Sequence, residues 1–242
     1  MSRNDRAPAG DGAERRNLYG RRRGKRLRAH QQELLGSRLA AFRVRGASRA
    51  ENPGRHPIDL ASVFPTAHDI WLEIGFGGGE HMLALAARHP EIGFLGSEYF
   101  VNGVAKLLAG IERTGVRNIA IHPGDALDLI DVLPDGSIGQ VFLLYPDPWP
   151  KKRHHKRRFV NPENMEGLAR IMAPGAVLRL ATDIGDYARH ALEVLDRDSR
   201  FVWLAERPAD WRAPWRGWPG TRYESKAVRE GRIPHYLGFR RL

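Results

Sequence analysis

The sequence predicts an α/β domain built on a mostly parallel, seven-stranded sheet with helices on both faces, preceded by a basic N-terminal arm. Three observations carry that expectation. From residue 69 onward, short apolar runs alternate with segments whose apolar residues recur at helical spacing, the pattern of strand-helix-strand units. The glycine-rich turn Gly75-Phe76-Gly77-Gly78-Gly79 follows the first of these runs directly and precedes a helical segment, which is how an open α/β sheet builds a nucleotide-binding crevice. The chain's 242 residues, 42% of them hydrophobic, suffice for one such domain with an arm and leave two equal domains cramped.

Charge and cysteine usage narrow the partners. A net charge of +11 on a chain of this size points to an acidic partner such as nucleic acid or anionic lipid. No apolar run approaches a membrane span, and the first residues, MSRNDRAPAGDGAERR, lack the apolar core of a secretory signal. Zero cysteines remove disulfides, thiol nucleophiles and Cys-ligated zinc together. A cytoplasmic protein with an RNA or DNA partner is the expectation. Monomer and homodimer both remain open.

Taken in order, residues 1–28 hold ten Arg or Lys against three acids, which suits equally a solubilising tail and an arm that orders on nucleic acid. Leu34, Leu35, Leu39 and Phe42 fall at helical spacing and predict a short helix over 31–42. Residues 52–57 read as a Gly/Pro linker. The arm with its helix is therefore placed at 1–54 and the compact domain at 55–242, with packing beginning near Ile58. Strands are expected at 69–74, 93–98, 118–122, 141–145, 176–181, 201–204 and 236–239. Helices are expected at 80–89, 101–114, 162–172 and 184–196.

Acids stand at the carboxyl ends of the first five strands: Glu73, Glu98, Asp125, Asp147 and Asp183. That rim is where ligands bind in an open α/β sheet. A dinucleotide would bring an anionic pyrophosphate beside Glu73, and the two would repel. S-adenosylmethionine carries an ammonium and a sulfonium instead. Glu73 then suits its amino-acid end, Glu98 the ribose hydroxyls and Asp125 the adenine amino group. Singly, each acid also fits a solvated strand end or a helix N-cap, Asp183 most of all. The spacing Gly-x-Gly-x-x-Gly fails at Glu80, which counts further against a dinucleotide enzyme.

The stretch 141–158, VFLLYPDPWPKKRHHKRR, places a buried strand, a proline-stiffened acid and aromatic, and a cationic ribbon in succession. Three prolines fix φ around Asp147 and Trp149, and six of the eight residues 151–158 are Lys or Arg. Such a segment is either a reaction centre with a polyanion grip beside it or a Pro-rich turn leading into a solvated loop. Trp149 suits base stacking or packing against the domain. Trp211, Trp215 and Trp218 suit sheet cover or an RNA-stacking platform.

The motifs Leu72-Glu73-Ile74-Gly75-Phe76-Gly77, Gly96-Ser97-Glu98, Gly124-Asp125-Ala126, Pro146-Asp147-Pro148-Trp149-Pro150-Lys151-Lys152, Ala181-Thr182-Asp183 and Thr221-Arg222-Tyr223-Glu224 together resemble the bacterial tRNA (guanine-N7-)-methyltransferases. The resemblance covers residues from about 18 to 242. It implies a Rossmann-like class I methyltransferase that uses S-adenosylmethionine to methylate N7 of guanosine 46 in the tRNA variable loop. It further implies that Glu73, Gly75, Gly77, Glu98, Asp125 and Asp147 hold the cofactor, with Asp147 at the reaction centre. By the same carry-over Lys151, Asp183, Thr221, Arg222, Tyr223 and Glu224 contact substrate; as a carboxylate, Glu224 also suits accepting from the guanine N1 and N2 donors. Arg153, His154, His155, Lys156, Arg157 and Arg158 would contact RNA, and no metal is expected. Family members often carry Lys where this chain has Arg222, which keeps the charge and replaces a point charge by a planar fork.

Two other readings stay open on the residues. Asp-Pro-Trp-Pro also resembles the Asn-Pro-Pro-aromatic loop of methyltransferases acting on exocyclic amines of nucleic acids. A catalytically inactive RNA-binding module on the same scaffold would share the charge but has no need of the strand-end acids.

Overall fold

The computed structural model describes residues 20–242; the first nineteen residues of the expected arm lie outside them. The apolar runs form seven strands: β1 (Asp69–Ile74), β2 (Ile92–Ser97), β3 (Ile119–His122), β4 (Ile138–Leu144), β5 (Met172–Thr182), β6 (Phe201–Trp203) and β7 (His235–Arg241). They pair into one sheet in the order β3-β2-β1-β4-β5-β7-β6. The first five strands are mutually parallel, with Leu72 opposite both Leu95 and Val141, and Val141 opposite Leu178. β7 runs antiparallel between β5 and β6. Parallel pairing brings the carboxyl ends of the first five strands, and the acids that follow or end them, to a single rim.

Helices cover both faces because side chains of a central strand alternate between them. On one face Leu72, Leu95, Val141, Leu143, Leu178 and Leu180 pack with Met165 and Leu168 of α7 (Pro162–Ile171) and Tyr187 and Ala191 of α8 (Gly185–Asp196). On the other, Phe94, Phe142, Leu144 and Tyr236 pack with Met82 and Leu85 of α4 (Glu80–Arg88) and Val104, Leu107 and Ile111 of α5 (Val101–Thr114). Each such side chain removed from water contributes roughly 1.5–3 kcal/mol. Trp215 and Trp218 pack against this second cluster, so both act as cover for the sheet.

The expected helix over 31–42 is two helices, α1 (Ala29–Ser37) and α2 (Leu39–Phe42), parted at Arg38. Leu34 of α1 is buried in the second cluster. Upstream, the chain is pinned to the start of α5. Asn102 accepts from Gly24 N (2.8 Å) and donates to Lys25 O (2.7 Å), while Val101 N donates to Arg22 O (3.0 Å). Downstream, Arg43 bridges Ile121 in parallel, and Val44 N donates to Ile121 O at 2.9 Å. Val44 and Ala47 are buried in the first cluster, ahead of α3 (Leu60–Val63).

Further differences are local. β5 begins at Met172 and runs through Pro174 and Gly175, because Ile138 finds a partner in Met172 across a register shift in β4. Four short helical segments appear where none is expected: α3, α6 (Ala126–Ile130), a 3₁₀ turn over Lys152–Arg157, and α9 (Ala209–Arg212). The tetrad 221–224 opens a further helix, α10 (Arg222–Arg229).

Candidate active site

A cleft of about 500 Å³ opens at the carboxyl rim of the sheet, between the ends of β1, β2, β3 and β4, within the size range of small-molecule sites. Gly75 and Gly77 line it together with Glu98, Asp125, Asp147 and Tyr223. Gly77 has φ +57°, and a Cβ there would stand 3.3 Å from the Tyr223 ring. From the other side α5 approaches so closely that a Cβ on Gly103 would meet Gly77 O at 2.2 Å. A side chain at Gly77 or Gly103 would crowd the turn, and glycine at both keeps the main chain open to close approach of a ligand.

The structure divides the five strand-end acids. Three line the cleft. Glu98 accepts from Gly77 N (2.6 Å) and Phe100 N (2.8 Å), and burial raises its carboxyl pKa against the pull of those two N–H groups. Asp125 is the N-cap of α6, accepting from Leu127 N at 3.0 Å. Asp147 is exposed on its loop. The other two are engaged elsewhere. Glu73 is only 5% exposed and lies 2.7 Å from His81 Nδ1, a pair that ties the end of β1 to the first turn of α4. Asp183 forms an ion pair with Arg232, and the turn into α8 is made by Thr182, whose hydroxyl accepts from Ile184 N at 3.2 Å. Asp183 is thus not the cap of that helix.

The Asp147 loop is bent at both ends. Tyr145 (φ +51°) and Trp149 (φ +42°) occupy the left-handed region, which is costly for non-glycine residues and is held only by surrounding contacts. Tyr145 N donates to Ala181 O (2.7 Å). Burial raises the Tyr145 hydroxyl pKa, with Tyr236 and Glu224 adding to it. The Arg157 guanidinium lies 5.0 Å from the Trp149 ring centroid, and the His154 ring meets Trp149 edge-on at 6.0 Å.

The cationic ribbon separates into two kinds of residue. Lys151, Lys152, Arg153 and Lys156 are exposed around the 3₁₀ turn, while His154, His155 and Arg157 are half-buried. Arg158 departs from the expectation of an RNA-facing strip: it is 1% exposed, donates from Nε to Pro148 O at 3.0 Å and forms an ion pair with Asp186. Composition could not reveal this, since Arg158 differs from its neighbours only in direction.

The tetrad 221–224 is a capping box. The Thr221 hydroxyl accepts from Glu224 N at 3.0 Å, and Glu224 Oε2 accepts from Thr221 N at 3.4 Å. Glu224 also accepts from Trp218 Nε1 (2.8 Å) and from the Tyr236 hydroxyl, so its carboxylate is engaged within the domain. Arg222 and Tyr223 are the residues that reach the glycine turn. Tyr223, 44% exposed, lines the cleft, and its ring lies nearly parallel to that of Tyr145 at 6.3 Å. Tyr145 and Asn164 also line the cleft. Neither carried a sequence signal, Tyr145 reading only as the end of an apolar strand.

Three carboxylates around a backbone cradle suit a cationic nucleoside and would repel a pyrophosphate. With the strand order, this defines an S-adenosylmethionine-dependent class I methyltransferase. The fold is similar to that of the aminoglycoside resistance methyltransferase NpmB1 (TM-score 0.51, 17% identity, 82% of this chain and 98% of that one). It is likewise similar to that of the 16S rRNA methyltransferase KamB (TM-score 0.52, 15% identity, 81% and 94%). Residues 67–236 match the family model described as "Putative methyltransferase". The chain is 57% identical over 228 residues to the tRNA (guanine-N(7)-)-methyltransferase of Ruegeria pomeroyi, covering 94% of this chain and 95% of that one. It is 56% identical to the enzyme of the same name from Paracoccus denitrificans, with coverage of 94% and 95%. The chain belongs to the tRNA (guanine-N(7)-)-methyltransferase family.

Proposed function

We propose that the protein transfers the methyl group of S-adenosylmethionine to N7 of guanosine 46 in the variable loop of cytoplasmic tRNA, forming 7-methylguanosine. The observation that carries this reading is the placement of the Asp147 loop: its acid lines the carboxylate-rimmed cleft while the exposed cations Lys151, Lys152, Arg153 and Lys156 follow within nine residues. A methyl donor and an RNA strand would meet there.

When bound, S-adenosylmethionine supplies an electrophilic methyl carbon on a sulfonium, which guanine N7 can accept through a lone pair that bears no proton. No general base is needed, so the chain's residues have to bind, align and exclude water. Glu98 suits the ribose hydroxyls and Asp125 the adenine edge. Asp147, on a loop fixed at both ends, would orient the reactants and favour the positive charge developing on the purine. Arg222 and Tyr223 would bound the base from the α10 side, with Lys151 beside them. Exposing the guanosine costs a few kcal/mol of unstacking, which phosphate contacts along the ribbon would offset.

The test is incubation with labelled cofactor and unmodified tRNA, followed by mapping with aniline cleavage, which reports 7-methylguanosine. Label at guanosine 46 is expected, reduced at least 100-fold in Asp147→Ala. Label on an exocyclic amine, or undiminished turnover by Asp147→Ala, overturns the reading.

A further inference from the structure

Arg158 is the one strong cation among the buried side chains of the described residues, and its contacts converge on the loop that carries Asp147. Nε donates to Pro148 O at 3.0 Å, the carbonyl of the residue immediately after Asp147. Nη2 pairs with Asp186 in the first turn of α8 and lies 3.0 Å from His155 Nε2. The guanidinium carbon stands 5.4 Å from the ring centroid of the fully buried Tyr187. The backbone around it is tied as well: Asn161 Nδ2 donates to Arg158 O (3.0 Å), and Val160 O accepts from His190 Nε2 (2.8 Å).

A guanidinium out of water is costly unless its donors are satisfied, and here they meet one loop carbonyl, one helix carboxylate and the His155 ring. That loop bends through left-handed residues at Tyr145 and Trp149, which persist only where neighbours over-determine them. A planar guanidinium holds its Nε on the carbonyl and its neighbouring Nη2 on the carboxylate in one fixed geometry; the rotatable donors of an ammonium impose no such plane.

We propose that Arg158 is a positioning residue for the methyl-transfer step, holding the Asp147–Pro148 segment in register with α8 through Asp186, rather than a contact to RNA phosphate. The inference rests on the reading of Asp147 as the reaction-centre acid. Arg158 acts through Pro148 and touches no reacting atom.

The test uses the full chain, unmodified tRNA and S-adenosylmethionine. If the parent forms 7-methylguanosine the functional reading stands, and the variants then decide the role of Arg158. Arg158→Ala is expected to lower kcat at saturating tRNA by 10- to 100-fold, with Kd for tRNA and its salt dependence within twofold of the parent. Arg158→Lys should recover only part of that loss. Asp186→Ala should lower kcat in the same way, and the double variant should be no worse than Arg158→Ala alone, because both remove one tie. Asp186 is 55% exposed, so its variant folds on surface grounds and carries the comparison if Arg158→Ala does not fold. The opposite pattern overturns the proposal: kcat at saturation unchanged, Kd for tRNA raised, and a salt slope reduced by about one, as removal of a phosphate-binding cation requires. Additive losses in the double variant overturn it too.

Discussion

At the scale of single residues, two titratable groups beside the cleft, buried His122 and half-buried Glu98, set measurable behaviour. His122 ends β3, is 4% exposed, and has no hydrogen-bond partner at Nε2. Burial holds its imidazole down to a pKa of about 4, against a smaller upward pull from Asp128. The unfolded chain protonates it near 6.5 while the folded chain resists to about 4. Its contribution to stability is therefore full above pH 6.5 and lost as pH falls toward 4, a span worth about 3 kcal/mol. Melting temperature should drop over that interval, and His122→Gln should flatten the drop; an equally steep fall in the variant would assign the proton uptake to another group. Glu98 offers a second test. Its two oxygens each accept a backbone N–H, from Gly77 and Phe100. Glu98→Gln turns an NH₂ toward one of those donors, so a loss of about 1–3 kcal/mol in urea unfolding is expected. A cofactor Kd raised at least tenfold by calorimetry should accompany it.

At the scale of elements, the strands and the four long helices α4, α5, α7 and α8 were legible because their signals are local: runs buried on both faces, and apolar residues at helical spacing. What the sequence hid depends on direction and on distant partners. Thr221-Arg222-Tyr223-Glu224 reads as four contact groups, yet two of them close a capping box and only Arg222 and Tyr223 reach the glycine turn. The S/T-x-x-E spacing was a usable signal for a helix start. Glu73 reads as a free strand-end acid until His81, eight residues on and across the turn, is brought to 2.7 Å. The burial of Arg158 has no counterpart in the composition of the ribbon. These elements also predict how the cleft fails. Thr221→Ala removes one cap bond and should cost about 1 kcal/mol, whereas Glu224→Ala also strands Trp218 Nε1 and the Tyr236 hydroxyl and should cost more. Gly103→Ala places a methyl against Gly77 O, so α5 and the glycine turn must separate. A loss of about 1–3 kcal/mol is expected from such overpacking, with cofactor affinity reduced in parallel; calorimetry showing full affinity would mean that the turn tolerates the shift.

At the scale of the molecule, charge is divided by sign in a way the net value of +11 conceals. Carboxylates gather inside the cleft as Glu98, Asp125 and Asp147, while Lys151, Lys152, Arg153 and Lys156 stand exposed next to it. The two fields serve different ligands. Inside, the acids favour a cationic nucleoside and disfavour phosphates. Outside, on the proposed function, the cations would attract an RNA backbone, whose condensed counterions would be released on binding. Only the second interaction should respond steeply to salt. The logarithm of the tRNA association constant should fall linearly with the logarithm of salt concentration. Replacing Lys152, Arg153 and Lys156 together by Ala should make that slope shallower by about two to three, close to one for each phosphate no longer neutralised. Cofactor affinity in the same titration should change by less than a factor of about two, because its binding groups lie within the cleft and are screened far less by added ions. Filter binding and calorimetry across 50–300 mM salt measure both quantities on one preparation. A tRNA slope that survives the triple substitution would move the RNA grip off the ribbon and onto the arm residues Arg21, Arg22, Arg23, Lys25 and Arg26, which run beside the start of α5 on the β2 side of the cleft.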